Sequence, residues 1–257
     1  MIDKKTKQEI AIMREGGGKL GSILQQLLAG AEAGVSLIDI DSLAGKLIKE
    51  AGATPSFTSV KGYKWPTCLC VNNVVVHGIP TGYILRDGDV LTIDIGLVFG
   101  GFHTDTAWTK IVGCDVAPNK AEKERFLKVG QDALWKAVDL ARIGNHVGDI
   151  SSSNQTIIEA AGYGIVKSLV GHGVGRELHE DPQVPNYVRG EAANTYQFGG
   201  GETIAIEPIY AMGGGSVVYD NDDGWTIATR DKSLAAVFEH SVAIIEDGPL
   251  ILTKATV

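Results

Sequence analysis

The sequence has few of the features that mark a secreted, membrane-embedded or nucleic-acid-binding chain. It holds only three cysteines in 257 residues, Cys68, Cys70 and Cys114. Their odd number and CxC spacing give no disulfide framework, and two cysteines alternating along one strand point the same way without closing a zinc knuckle. A reducing cytoplasm fits. No run approaches eighteen apolar residues, and the N-terminus MIDKKTKQEI lacks an apolar signal region, so neither a membrane span nor secretion is expected. Basic residues number 23 against 31 acidic ones, for a formal net charge of -8. Without a basic stripe, nucleic acid and anionic membranes are poor partners. What remains is an ordinary globular balance, 44% hydrophobic and 21% charged, long enough for one domain or two fused halves.

The chain opens with a capping-box pattern, Thr6-Lys7-Gln8-Glu9, before Ile10, Met13, Leu20, Leu24, Leu27 and Leu28 at largely helical spacing. Gly16-Gly17-Gly18 inside this helix predicts a kink or a close approach of another segment. A second helix starts near Ser36, with Asp39 as its capping partner and Ile40, Leu43, Leu47 and Ile48 as its buried stripe. Asn119 and Glu122, again three residues apart, form a further cap pattern before a third helix, and a fourth runs from about Gly148 to Ala161. Strands are expected at Val74–Val76, near Val166, at Thr203–Glu207, near Val217 and Thr226, and at Val237–Ile245. At an offset of 110 residues, Gly34, Ile40, Leu47 and Ala51-Gly52 match Gly144, Ile150, Ile157 and Ala161-Gly162. The expectation is an α+β fold of two pseudo-symmetric halves, about 1–113 and 119–248. Their strands would join in one curved mixed sheet, with the helices on its outer face and a site on the other.

The stretch VLTIDIGLVFGGFHTDTAWTK, residues 90–110, reads as a hairpin about Gly100-Gly101. Folding it brings Asp94 and Asp105 to nearly the same level. A carboxylate flanked by Ile93 and Ile95 must be paired, protonated or bound to metal if it is buried; a surface pair on an edge hairpin is the alternative. The second half adds His172 between glycines, Glu207 at the end of Thr-Ile-Ala-Ile, and Glu239 within Ala-Val-Phe-Glu-His-Ser-Val. His172 alone could be a structural hydrogen-bonding residue, and the acids could form separate buried salt bridges, although few basic residues stand in comparable apolar runs. Together, four carboxylates and one imidazole suit two divalent cations, among which manganese, iron, cobalt and catalytic zinc fit the oxygen-rich set. Such a pair acidifies a shared water and polarises a carbonyl, which is amide-hydrolysis chemistry.

These motifs, in this order, closely resemble type I methionine aminopeptidases of the pita-bread fold: Asn72-Asn-Val-Val-Val-His77-Gly-Ile-Pro80, Thr92-Ile-Asp94-Ile-Gly96, Gly101-Phe-His-Thr-Asp105, Gly171-His172-Gly-Val-Gly-Arg-Glu-Leu-His179-Glu, Ile206-Glu207-Pro208 and Phe238-Glu239-His-Ser. The resemblance implies that Asp94 binds one metal in bidentate fashion, that Asp105 and Glu239 bridge both, and that His172 and Glu207 bind the other. It places His77 near the substrate's amino end and second residue. His179 falls at the scissile carbonyl, Glu207 serves as proton carrier, and Tyr63, Trp65, Cys68 and Trp225 line the methionine pocket. It further implies excision of the initiator methionine from nascent chains near the ribosome, after deformylation and before a small uncharged second residue, by a cytoplasmic monomer. Departures are Leu178 where relatives often have phenylalanine, a short Tyr63–Cys68 loop, and Gly199-Gly200-Gly201-Glu202. Proline-directed aminopeptidases or dipeptidases share the ligand pattern but normally carry an additional N-terminal domain, whereas here the first helix is expected near Lys7. Non-catalytic peptide-binding relatives usually lose ligands.

Overall fold

A computed structural model describes residues 2–113 and 119–255; Cys114 lies outside them. Helix α1 (Lys7–Gly30) begins at Thr6, whose hydroxyl accepts the Glu9 N–H while the Glu9 carboxylate accepts the Thr6 N–H. The glycines do not break it. Their role is close packing: a Cβ on Gly17 would stand 2.5 Å from the Leu252 carbonyl oxygen. Gly17→Ala should therefore cost about 1–3 kcal/mol in urea unfolding despite alanine's better helix propensity. Gly30→Ala, with nothing within 4 Å, should not.

Helix α2 (Leu37–Glu50) is capped by Ser36 and buries Leu37, Ile40, Ala44 and Ile48. Leu43, expected in that stripe, is 38% exposed, because a 3.6-residue period carries the face from position 40 to 44. Strands Thr54–Pro55 (β1), Thr67–Val71 (β2), Val74–Val76 (β3), Val90–Phe99 (β4) and Phe102–Ile111 (β5) follow. After α3 (Lys120–Leu140) and α4 (Val147–Ala160) come Gly164–Ile165 (β6), Val170–Gly173 (β7), Glu180–Pro185 (β8), Thr203–Ile206 (β9) and Ile209–Ala211 (β10). The last five are Val217–Tyr219 (β11), Ile227–Thr229 (β12), Ala235–Val237 (β13), His240–Ile245 (β14) and Gly248–Ile251 (β15). Two pairs of elements recur 110 residues apart: α2 with α4, from Leu37 to Val147, and β1 with β6, from Thr54 to Gly164.

Among the described residues, the layer expected as one sheet is divided into four hydrogen-bonded groups of strands: β1-β4-β2 with β5 on β4, β13-β10-β6, β11-β12-β3, and β15-β14-β9-β7-β8. Their pairings are antiparallel, as turns and short connections allow. Two candidate ligands, Glu207 and Glu239, stand at strand breaks. Strand β9 stops at Ile206, since Pro208 has no N–H to donate. The stretch expected as one strand, Val237–Ile245, is interrupted at Phe238-Glu239. One core joins α1 and α2 to β4 through Leu24, Ile48, Ile93 and Ile95; another joins α3 and α4 to β9 and β14 through Phe126, Ile150, Ile204 and Val242.

Candidate metal centre and substrate cavity

Alternation along β4 sends Ile93 and Ile95 into the helix-side core and leaves Asp94 on the opposite face. The β4–β5 turn at Gly100-Gly101 has φ of +59° and +84°, the conformation for which a tight hairpin selects glycine. It sets Gly96 opposite Asp105 and Ala107 opposite Asp94. The two aspartates are thus diagonal neighbours on one face, two residues out of level. Cys68 stands directly beside Asp94 across β2.

The second half brings its residues in by side-chain clasps. The Ser241 hydroxyl accepts the Asp105 N–H at 2.9 Å and donates to the Asp105 carbonyl at 2.8 Å. The Thr106 hydroxyl donates to the Glu239 carbonyl at 2.7 Å, and the Glu239 N–H donates to the Ala107 carbonyl at 2.9 Å. The Asn186 amide donates to the Glu207 carbonyl at 2.8 Å. Sequence reasoning passed over Ser241, Thr106 and Asn186. Polar residues next to Asp105 and Glu239 in otherwise apolar strands were the available signal for the first two; Asn186 gave none.

Asp105, His172 and Glu239 each place one ligand atom within 4.8 Å of the others. The Glu207 carboxylate lies 3.6 Å from His172 Nε2. Asp94 Oδ1, Asp105 Oδ1 and Glu239 Oε1 are buried without a hydrogen-bond partner. Burial, with a smaller opposing effect of Asp105, pushes Asp94 up to about 7. Burial and then mutual repulsion drive Asp105, Glu207 and Glu239 well above the carboxylate range. His172 Nδ1 faces the Gly173 carbonyl at 2.8 Å; a carbonyl only accepts, so Nδ1 carries the proton and Nε2 presents its lone pair. Burial, followed by His179, lowers this imidazole to about 4, which keeps it neutral and able to ligate. Orphaned buried acid oxygens plus a correctly tautomerised imidazole fit divalent cations, which stabilise the ionised acids that burial disfavours.

All five residues line one cavity of about 640 Å³, together with His77, His179, Tyr63, Cys68 and Trp225. The Tyr63 ring meets Trp225 edge-on at 5.1 Å and Trp65 at 5.2 Å. Trp65 itself is not among the cavity-lining residues; it backs Tyr63, because its loop does not keep the strand alternation that would turn both rings inward. Leu178 and Phe57 complete the apolar wall. The His179 ring lies 4.5 Å from that of His172. Burial lowers both His77 and His179.

The profile of metallopeptidase family M24 matches residues 11–246. The chain belongs to this family. Among its M24 relatives, a methionine aminopeptidase of Clostridium perfringens is 40% identical, over 98% of this chain and 99% of that one. A crystal structure of methionine aminopeptidase from Thermotoga maritima superposes with a TM-score of 0.93 at 38% identity, covering 99% of this chain and all of that one. The resemblance to type I methionine aminopeptidases and the pita-bread architecture are thereby borne out. A prolidase of Pyrococcus horikoshii shares the fold, with a TM-score of 0.77 at 24% identity, but this chain spans 64% of its length. No helix of the described M24 chain is long and apolar enough to cross a membrane.

Proposed function

We propose that this M24 chain removes the N-terminal methionine from peptides and nascent proteins. Asp94, Asp105, His172, Glu207 and Glu239 would hold two divalent cations drawn from manganese, iron, cobalt or zinc. The observation that carries the reading is the set of orphaned buried carboxylate oxygens opening onto a pocket of Tyr63, Cys68 and Trp225. An unbranched, polarizable thioether suits such an aromatic and sulfur-lined wall. When bound, the cations supply Lewis acidity and acidify water beside the scissile carbonyl.

The chain's own residues do the rest. The acidic cluster attracts the substrate's free amine, and a formyl group removes that basic nitrogen, so deformylation comes first. His77, on the cavity wall, crowds the second residue and favours a small uncharged one. Neutral His179 donates a hydrogen bond to the carbonyl oxygen as charge develops there. Glu207 takes up the proton that the attacking water gives up and passes it to the leaving amine. In this reading residues 1–257 form one catalytic domain of two halves, 1–113 and 119–248. It acts as a cytoplasmic monomer on nascent N-termini near the ribosome.

The test is methionine release from Met-Ala-Ser and Met-Pro-Ala, followed by mass spectrometry with added manganese or cobalt and after metal removal. Metal-dependent release from Met-Ala-Ser is expected. Cleavage confined to the proline peptide would transfer the chain to the proline-directed enzymes. A folded protein inactive with every metal would be a peptide-binding relative. Trp225→Ala should raise KM for Met-Ala-Ser about tenfold with little change in kcat, because the lost apolar contact is made equally in ground and transition states.

A further inference from the structure

Lys5 has no part in the chemistry above, yet its side chain is fully buried. Its backbone is anchored on the second-half sheet: the Lys5 N–H donates to the Gly201 carbonyl at 2.7 Å, and the Gly201 N–H donates to the Ile244 carbonyl of β14 at 2.9 Å. Its amine reaches the Glu180 carboxylate and the Asp3 carbonyl. The other Glu180 oxygen accepts the Glu177 N–H at 3.1 Å. Glu180 thus closes the turn 177–180 from beneath, and the two residues enclosed by that turn, Leu178 and His179, both line the substrate cavity. The fit is tight. A Cβ on Gly175 would stand 2.2 Å from Lys5 Cε, so glycine at 175 lets the lysine stem pass under the loop.

We propose that Lys5 is a positioning residue: acting through Glu180, it fixes the turn that presents Leu178 and His179 to the substrate. A buried ion pair is weak evidence for added stability but can select one geometry. The selected geometry here is that of an exposed turn carrying one apolar wall residue and one hydrogen-bond donor. The metal-ligand candidates stand on other segments, apart from His172 at the far side of the Gly173–Gly175 glycines. Their grouping should survive the loss of the lysine. The surface pairs of Arg176 with Asp3 and Glu9 are more exposed and contribute little to this role.

The test compares Lys5→Met, Glu180→Gln and their double variant as manganese-loaded proteins. The activity arm rests on the aminopeptidase reading. Lys5→Met should lower kcat/KM for Met-Ala-Ser by about 10- to 100-fold, the scale of a small misplacement of a catalytic group. Manganese affinity by calorimetry should stay within about threefold of wild type, since the ligands do not move. Glu180→Gln keeps an acceptor for the Glu177 N–H but turns an amide donor toward the Lys5 amine, so it should lose activity similarly; it also serves if Lys5→Met does not fold. The double variant should be no worse than the worse single one, whereas additive losses would mean that Glu180 acts on substrate directly. Arg176→Ala should retain kcat/KM. A second readout needs no activity: trypsin should cut after Arg176 faster in Lys5→Met than in wild type. Unchanged kcat/KM with an unchanged cleavage rate, or a loss that merely tracks manganese affinity, overturns the proposal. A wild-type protein without aminopeptidase activity would instead sink the functional reading and leave the tryptic comparison to decide the role of Lys5.

Discussion

Glu239→Gln is expected to fold, to release methionine from Met-Ala-Ser about 100- to 1000-fold more slowly, and to bind manganese much more weakly. Glu239 is 3% exposed, and its Oε1 has no partner. The substitution keeps the shape and removes one negative charge from a set whose ligand atoms crowd within 4.8 Å of one another. An amide offers a single neutral oxygen where the carboxylate offers two charged ones, so in the proposed two-cation site it would be a much weaker ligand. The same change should act in the opposite direction on the metal-free protein. Burial, and then repulsion from Asp105, Glu207 and Asp94, raises the proton affinity of Glu239, and a neutral amide is subject to neither. With a chelator present, the variant should melt a few degrees above wild type. Calorimetric titration with manganese and thermal melts with and without chelator read both effects. A variant that kept wild-type affinity and rate would remove Glu239 from the metal centre.

The candidate site was legible because buried charge is conspicuous. Asp94 between two isoleucines, Glu207 after Thr-Ile-Ala-Ile and Glu239 after Ala-Val-Phe are costly in an apolar run unless paired or bound to metal, and the structure gathers all three with Asp105 and His172 around one cavity. The first two helix starts were legible for a local reason: a cap is written in four consecutive residues, as at Thr6 and Ser36, whereas Asn119, in a left-handed conformation, makes no side-chain cap hydrogen bond. The 110-residue recurrence showed through the helices, whose two copies each contain 14 residues. What the sequence concealed depends on distant partners. Trp65 shares a motif with Tyr63, yet only the path of the loop sends one ring to the cavity and the other behind it. Ser241 holds Asp105 from 136 residues away; a polar residue in an apolar strand marks it, but no local pattern names its partner. The breaks in β9–β10 and β13–β14 were half legible: Pro208 signals the first, while the second comes from β14 being drawn against β5 through Ser241 and Thr106.

Metal removal should make stability fall with rising pH between about pH 7 and 8.5. The argument concerns which state binds more protons. Asp94 has an ordinary value of 3.8 and about 7 in the folded chain; Asp105, Glu207 and Glu239 are raised further by burial and by one another. Below the unfolded values both states are protonated and these groups contribute nothing. As pH climbs toward the folded values, the unfolded chain ionises freely while the native cluster holds its protons or suffers repulsion, so stability falls. The buried histidines have the opposite sign. His77, His103, His172, His179 and His240 are lowered by burial, and their contribution is complete once pH exceeds the unfolded value of 6.5. Above pH 7 the carboxylates are therefore isolated. The metal-free protein should lose at least about 5 °C in Tm from pH 7 to 8.5. Saturating manganese should abolish that slope and raise Tm at pH 8.5, because bound cations take the place of the protons. Cys68 and Cys70 are also raised by burial. Their contribution has the same sign but begins later and persists with metal bound, so the difference between the two melting series belongs to the carboxylates. A flat metal-free profile across this window would mean that the four acids ionise without hindrance, and the charge argument for a metal centre would then fail.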